Sequence, residues 1–323
     1  MKAIVCRQYG SPEVLQLVEM KKPEPGPNEV LIKIHVASVT RADGMMRMGT
    51  PLFGRIFMGL MRPRFPVTGT GFAGKIEAVG GDVTLFEKGA SVFGESIFGF
   101  GTNAEYVCVP EDGVLVTKPD SISHEEAAPL CDGALTSLSF LKDMGHIQRG
   151  QRVLINGASG SLGSSAVQIA RHFGAEVTGV CSGDNAGMVK SLGASKVIDY
   201  TREDFTQSGE SYDIIFDTLG KRSFSQCKGV LKNNGIYLCP VLGHSLLLQM
   251  LWTMRSNGKK AIFSATGLRP RSELRQLLDE LRTLVAVGAL SMVIDRRYSL
   301  QQTAEAHRYV EKGHKKGNVI LRI

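Results

Sequence analysis

The feature that most constrains this chain is the stretch 152–174, RVLINGASGSLGSSAVQIARHFG. A short apolar run, 153–155, meets a turn carrying Gly157, Gly160 and Gly163, and the turn opens directly into an amphipathic helical pattern. Strand, glycine turn and helix in that order are what a nucleotide-binding βα unit requires. The first glycine permits the tight turn, and the second lets the backbone approach a pyrophosphate. The third lets the helix pack on the strand, and the helix N-terminus attracts phosphate. A bare glycine triplet is weak evidence. With the strand before it and the helix after it, a dinucleotide site is expected, contacted by Gly157, Ser159, Gly160, Ser161, Leu162 and Gly163.

The surrounding text places this unit in an architecture. Residues 1–120 read as strands and turns: VLIKIHVASV (30–39), KIEAVG (75–80), ASVFGE (90–95) and AEYVCVP (104–110). No helix of any length is expected there before 123–130. From 121 to 267 the pattern becomes strand and helix in alternation, with EVTGVC (176–181), a helical stretch around 188–192, KVIDY (196–200) and YDIIFDTLG (212–220). A helix end running into a strand (229–242) and AIFSAT (261–266) complete it. Apolar strands spaced by helices predict a parallel sheet with right-handed crossovers, a Rossmann domain. Beyond it, Leu274, Leu277, Leu278, Leu281, Leu284 and Val285 form a helical stripe. Ser299 and Gln302 read as a capping box opening a helix through Glu311. GNVILRI (317–323) is a lone strand whose natural partner is the β-rich half. The fold class is therefore α/β: a discontinuous β-rich domain, 1–120 and 268–323, and a Rossmann domain, 121–267, with a cleft expected between them.

A chain of 323 residues fits two domains. It opens with Met1-Lys-Ala-Ile-Val, strand-like rather than signal-like, and its apolar run 245–254 is too short to cross a membrane. A cytoplasmic location without a membrane partner is expected. The six cysteines form no CxxC pair and read as reduced thiols. The net charge of +7 suits an anionic cofactor, but the basic residues are dispersed, which gives nucleic-acid binding little support. None of the seven histidines has metal-ligand spacing; His244 lies nearest the expected cleft.

Met1-Lys-Ala-Ile-Val, GSPEVLQL (10–17), GTNAEYV (101–107) and AAPLCDGALTS (127–137) together resemble the medium-chain dehydrogenase/reductase superfamily. The glycine turn, GA-x-x-VIDY (193–200) and FDTLG (216–220) do so as well, and the matches occur in the expected order over nearly the whole length. Within it the chain looks like the zinc-free quinone oxidoreductase branch, whose fold is a GroES-like β domain plus a Rossmann domain. Zinc alcohol dehydrogenases of this superfamily carry a Cys after the second long strand, a Gly-His-Glu, and a Cys before the first Rossmann strand. Here those places hold Thr40, Gly69-Thr70-Gly71 and Cys131. A catalytic zinc needs three protein ligands, and one thiolate cannot hold it, so no metal is expected. The four cysteines of a structural zinc lobe are missing too.

The resemblance implies hydride transfer to quinones or α,β-unsaturated carbonyls, acceptors that already spread negative charge. For the cofactor, the second Rossmann strand ends Val180-Cys181-Ser182-Gly183 with no acid at its tip. NAD sites place an acid there, whereas Asp184 comes two residues late and reads as a helix cap. In NADPH-using relatives a small hydroxyl residue, a polar or basic residue and a tyrosine surround the 2′-phosphate. Ser182, Asn185 and Tyr200 occupy those places, with Asn185 in place of a lysine, and NADPH is favoured. Thr218, Leu219, Gly220, Val241, Leu242 and Gly243 end the fourth and fifth strands, where ligands of such sheets bind. Thr136, Lys316 and Asn318 match cofactor-contacting stretches of relatives.

Thr40, Arg41 and Asp43 follow a strand toward the cleft and are the candidates for a proton donor or oxyanion partner; Asp43 could instead cap a short helix. The segment 45–66, rich in Met, Phe, Leu and Gly, forms either an apolar lid over a lipophilic acceptor or a layer packed on the β domain. Two other functions remain open: an NADPH-binding sensor or RNA binder with little turnover, and an enoyl-thioester reductase using Tyr9 or Tyr106. Homodimerisation through 261–266 is a further expectation.

Overall fold

A computed structural model of the protein describes residues 1–96, 101–254 and 258–323. The chain divides into two compact units, one of residues 1–132, 270–286 and 292–323, the other of residues 133–269 and 287–291.

In the first unit β1 (Lys2–Cys6) and β2 (Leu15–Glu19) form an antiparallel ribbon. The long strand β3 (Glu29–Val39) is buried on both faces, as its β-branched sequence implies. Val30, Ile32 and Ile34 pack with Phe72, Ile76 and Leu115, whereas Ala37 and Val39 pack on Tyr298 and Leu321. β4 (Gly71–Val79) pairs with β3, β5 (Ser91–Glu95) with β4, β6 (Tyr106–Pro110) with β3, and β7 (Val114–Thr117) with β5, all antiparallel. One expectation fails here. An eight-residue helix, Arg41–Met48, follows β3, and a single turn, Arg55–Met58, comes soon after. The longer one has no clear apolar stripe in RADGMMRM. Its ends make it: Thr40 and Asp43 form a capping box, and Gly49 closes it at φ 64°.

The second unit is a six-stranded, wholly parallel sheet of β8 (Arg152–Asn156), β9 (Glu176–Cys181), β10 (Lys196–Asp199), β11 (Tyr212–Asp217), β12 (Leu231–Cys239) and β13 (Lys260–Phe263). Its order is β10-β9-β8-β11-β12-β13, the doubly wound order whose direction of winding reverses between β8 and β11. Ile214 registers with Val153 and Asp217 with Asn156 across that switch point. The buried Leu154, Tyr212, Ile215 and Tyr237 belong to one core cluster. Helix Ser161–His172 leaves the end of β8, and β13 is an edge strand.

The chain then returns to the first unit. All six members of the predicted stripe are buried on helix Arg271–Ala286. Ser299 and Gln302 form the capping box, followed by a 3-10 turn, Leu300–Gln302, and the helix Thr303–Glu311. A strand that the sequence reading missed, β14 (Ile294–Ser299), lies parallel to β15 (Asn318–Arg322), which joins β3 in antiparallel fashion. β15 thus finds its partner in the β-rich unit. Residues 121–132 also lie in this unit rather than with the nucleotide fold, since Cys131 packs against β4: its Cβ is 3.6 Å from where a Gly71 Cβ would stand. Conversely, residues 287–291 join the parallel-sheet unit, where the Ser291 amide donates to Gln168 Oε1 at 3.0 Å.

Candidate functional site

The turn at the end of β8 is built for close backbone approach. The amides of Gly157 and Ala158 donate to the Val180 carbonyl at 3.0 and 2.9 Å, and the Gly160 amide donates to the Gly157 carbonyl at 3.0 Å. Gly157 sits at φ 84°, and a Cβ there would stand 2.6 Å from Thr218 Oγ1 and 2.7 Å from Leu219 Cγ. A Cβ on Gly163 would collide with the Gly157 carbonyl and lie 2.7 Å from the Ala158 Cα. At Gly160, the N-cap of helix Ser161–His172, a Cβ would meet only the Gly157 carbonyl, at 3.5 Å. Two glycines therefore serve packing, and the third leaves space in front of the helix N-terminus.

Ser159, Ser182 and Asn185 come together beside this turn. The Asn185 Nδ2 donates to Ser182 Oγ at 3.0 Å and to Ser159 Oγ at 3.3 Å, while its buried Oδ1 has no partner. Ser182 also borders an open pocket of about 460 Å³ with Gly183, Asp184, Asp199, Thr201 and Arg202. Asp184 caps no helix: it lies inside a 3-10 turn, and the following helix Ala186–Ser191 starts at Asn185 without a side-chain cap. Asp199 and Arg202 escaped the sequence reading, which looked for charge at the tip of β9 and not of β10. The Asp199 carboxylate is held below its ordinary pKa, first by the Thr201 amide and then by the Thr201 hydroxyl. Arg202 Nε stands 3.7 Å from Asp199 Oδ2. Tyr200 follows directly, half exposed, with its amide donating to the Cys181 carbonyl at 3.1 Å.

The end of β11 is fixed by Asp217, which is fully buried. Its carboxylate accepts from Asn156 Nδ2 at 2.9 Å, from the Leu219 and Gly220 amides at 3.1 Å each, and from the Arg222 amide at 2.9 Å. Asp217 thus shapes the turn that presents Thr218, Leu219 and Gly220. Thr218 Oγ1 donates to the Asn156 carbonyl at 2.7 Å. A Cβ on Gly220 would lie 2.7 Å from Val241 Cβ, so the ends of β11 and β12 meet. Leu242 and Gly243 are exposed before helix His244–Met254; the His244 side chain lies outside the described residues. Thr136 is half-buried on helix Gly133–Leu138, whose first glycine abuts Ser161.

The remaining candidates belong to the first unit. Asp43 Oδ2 accepts from the Thr40 amide at 2.8 Å and the Thr40 hydroxyl at 2.7 Å, and its buried Oδ1 has no hydrogen-bond partner. Burial raises the Asp43 pKa to about 7, with the Asp132 charge adding to the rise and the Thr40 bonds opposing it. Burial likewise raises Glu95 to about 8, helped by the charges of Asp132 and Asp43, and lowers Lys315 to about 8 against the pull of Asp132 and Asp295. This acid group was invisible in sequence, because its members come from β5, from the turn after Cys131 and from the loop before β15. Beside Asp43, Tyr9, Arg47, Thr68 and Gly69 help line a cavity of about 30 Å³, room for a water molecule. Tyr9 donates its hydroxyl to the Gly59 carbonyl at 2.6 Å, and Tyr106 lies in β6 under the Lys22 ammonium. Arg41 is exposed. Lys316 is exposed with its amide on Asp295, and the Asn318 Nδ2 donates to the Val293 carbonyl at 3.0 Å. Thr40, Thr70 and Cys131 bear the donors at the three places compared with zinc ligands. Burial drives the Cys131 thiol well above its ordinary pKa, and among the described residues no group of three or more His, Cys, Asp or Glu could hold a metal ion.

This geometry agrees with what the chain is similar to. The family described as alcohol dehydrogenase GroES-like domain matches residues 26–120, and that described as zinc-binding dehydrogenase matches residues 192–321. The whole chain is 32% identical to the mouse (Mus musculus) protein named NAD(P)H oxidoreductase RTN4IP1, mitochondrial, and covers 89% of it. The chain therefore belongs to the medium-chain dehydrogenase/reductase superfamily. The quinone oxidoreductase of Pongo abelii is 28% identical over 97% of this chain and 94% of its own length. A solved quinone oxidoreductase from Coxiella burnetii superposes with a TM-score of 0.88 at 29% identity, covering 100% of this chain and 99% of that one. The place of the chain within the superfamily is the quinone oxidoreductase-like branch. The mouse relative is named as mitochondrial, so the comparisons do not confirm the cytoplasmic location expected from the sequence.

Proposed function

We propose that this protein is a zinc-independent oxidoreductase that transfers a hydride from NADPH to a quinone or an α,β-unsaturated carbonyl. The observation that carries the reading is the glycine cradle at the switch point, where Gly157 and Gly163 have no room for a side chain and Gly160 keeps the helix N-terminus open. That cradle fits a pyrophosphate. Ser159, Ser161 and Leu162 would complete its lining. Ser182 and Asn185, already joined by a hydrogen bond, would meet the 2′-phosphate together with Tyr200. Thr218, Leu219, Gly220, Val241, Leu242 and Gly243 would flank the nicotinamide riboside at the strand ends, with Thr136, Lys316 and Asn318 as further contacts. The names of the mouse and Pongo relatives favour the same nicotinamide chemistry and a quinone acceptor.

When bound, the reduced nicotinamide supplies the hydride. What the chain must add is orientation and a proton. Asp43, poised near neutrality by burial, can hold a proton on the unpaired Oδ1 and give it to the acceptor oxygen as negative charge develops there. Thr40 keeps the other carboxyl oxygen in place, and Arg41 offers a cation at the same helix start. A metal is not needed for acceptors that delocalise the charge themselves, and the buried, protonated thiol of Cys131 is a poor ligand. As an edge strand, β13 could pair two copies about a two-fold axis. The test is Asp43→Asn assayed with NADPH and a quinone: kcat should fall about a hundredfold while NADPH affinity stays unchanged. An unchanged kcat removes Asp43 from the mechanism.

A further inference from the structure

Exposed apolar side chains are unevenly distributed over this molecule. Two stretches, 44–76 and 218–272, contain none of the chain's 31 acidic residues yet carry five and nine basic ones. Among the described residues, thirteen of the nineteen large hydrophobic side chains left exposed fall in these same stretches. One group surrounds the turn Arg55–Met58 in the first unit, and the other surrounds helix His244–Met254 in the second. An ordinary soluble surface mixes both signs of charge around its apolar groups. Arg47, Arg222, Lys232 and Arg269 pair with acids from other parts of the chain, but neither stretch supplies an acid of its own.

Helix His244–Met254 is apolar nearly all round, a composition that normally means burial on every side. Leu246 and Met250, four residues apart, do pack on the core of the parallel-sheet unit. The other face, Leu247, Leu248, Leu251 and Trp252, stands in solvent, with Trp252 76% exposed. Trp252 is the only tryptophan of the chain. Lys228 Nζ lies 5.6 Å from its ring centre, and Lys259 Nζ donates to the Lys228 carbonyl at 2.7 Å, so two cations border this face. In the first unit Leu52, Ile56, Phe57, Leu60 and Met61 are exposed, Met61 to 92%. Other residues of the same segment, Met46, Met58, Pro63 and Phe65, do pack on the β-rich unit, lining a cavity with Cys6 and Tyr9.

We propose that the patch on helix His244–Met254 docks the protein on an anionic phospholipid surface. Trp252 and its neighbouring leucines enter the boundary between headgroups and acyl chains, and Lys228 and Lys259 meet the lipid phosphates. An apolar face rimmed by cations and carrying an exposed tryptophan is the pattern of a helix that lies in the membrane interface. A bilayer offers apolar depth and negative charge at every point, whereas a protein partner would need an acidic and apolar groove shaped to this helix. Lying on a membrane differs from crossing it, and no described helix is long and apolar enough to cross. The inference is independent of the hydride chemistry.

The single tryptophan makes the test direct. The emission of Trp252 in the intact protein is recorded with vesicles of phosphatidylcholine alone and of phosphatidylcholine mixed with phosphatidylglycerol, and bound protein is measured by flotation. Emission should move to shorter wavelength, and protein should float, only with the anionic vesicles, and added salt should weaken both effects. Leu248→Glu and Leu251→Glu, each at an exposed position, should lower binding at least about tenfold. The proposal is overturned by unchanged emission without flotation, by equal binding to the uncharged vesicles, or by variants that bind as the wild type does. Emission that is already short without vesicles and lengthens on dilution assigns the face to a second copy of the chain, and also overturns it.

Discussion

Replacing Asp43 by asparagine should flatten the pH dependence of stability. The carboxyl is buried, and its pKa rises from 3.8 to about 7. The native state therefore keeps a proton that the unfolded chain releases near pH 4. Between those values the native state binds more protons than the unfolded state, so stability falls as pH rises and levels off above about 7. A rise of about three units is worth at most about 4 kcal/mol, and coupling to Glu95 and Asp132 spreads it over a wider range. Asparagine can still accept from the Thr40 amide and hydroxyl, so the helix cap survives, while its amide cannot ionise. Any constant cost of the substitution shifts the whole curve and leaves the slope untouched. Urea unfolding followed by far-UV circular dichroism between pH 4.5 and 8 should show the wild type losing about 2–4 kcal/mol more than the variant. Parallel curves would show that Asp43 ionises in the native state as freely as in the unfolded one.

Three other outcomes follow from the parallel-sheet unit. Gly163→Ala drives a methyl into the Gly157 carbonyl; NADPH affinity should drop at least about tenfold and the protein should lose about 1–3 kcal/mol, both measurable by titration and melting. Ser182→Asp should weaken NADPH at least about tenfold more than NADH, because a carboxylate would face the 2′-phosphate at the site proposed for it; equal losses would show that the 2′-phosphate sits elsewhere. Tyr237→Phe removes a hydroxyl bonded to Asp217 Oδ2 at 3.2 Å and to the Arg222 carbonyl. It should cost about 1–2 kcal/mol in melting experiments while leaving kcat unaltered.

Much of this architecture is legible in the sequence because burial writes a period into it. Most of the parallel strands carry a short apolar run, such as VLI in β8, IIF in β11 and IYLC in β12, and the stripe from Leu274 to Val285 repeats at helical spacing and is buried throughout. What escapes is built by other means. Helix Arg41–Met48 owes its start to the reciprocal bonds of Thr40 and Asp43 and its end to Gly49, not to an apolar stripe. β14, read in sequence as IDRRYS, has two exposed arginines and only one buried residue, Tyr298, so its pairing with β15 leaves little periodic trace. Among the candidate site residues, those on one turn or on adjacent strand ends, such as Gly157 with Thr218 and Ser159 with Asn185, could be grouped from their order in the chain. Asp199 and Arg202 could have been found from the short VIDY-TR segment that closes β10. Glu95, Asp132 and Lys315 could not, since only the tertiary fold brings such distant residues together and shifts their protonation.

The most direct test of the account is the oxidation of NADPH and of NADH by chelator-treated protein against quinones, enones, aldehydes and alcohols. The account predicts turnover of quinones or enones, with NADPH preferred and no gain on adding zinc. Turnover that depends on added zinc, or tight NADPH binding with no acceptor reduced, would contradict it.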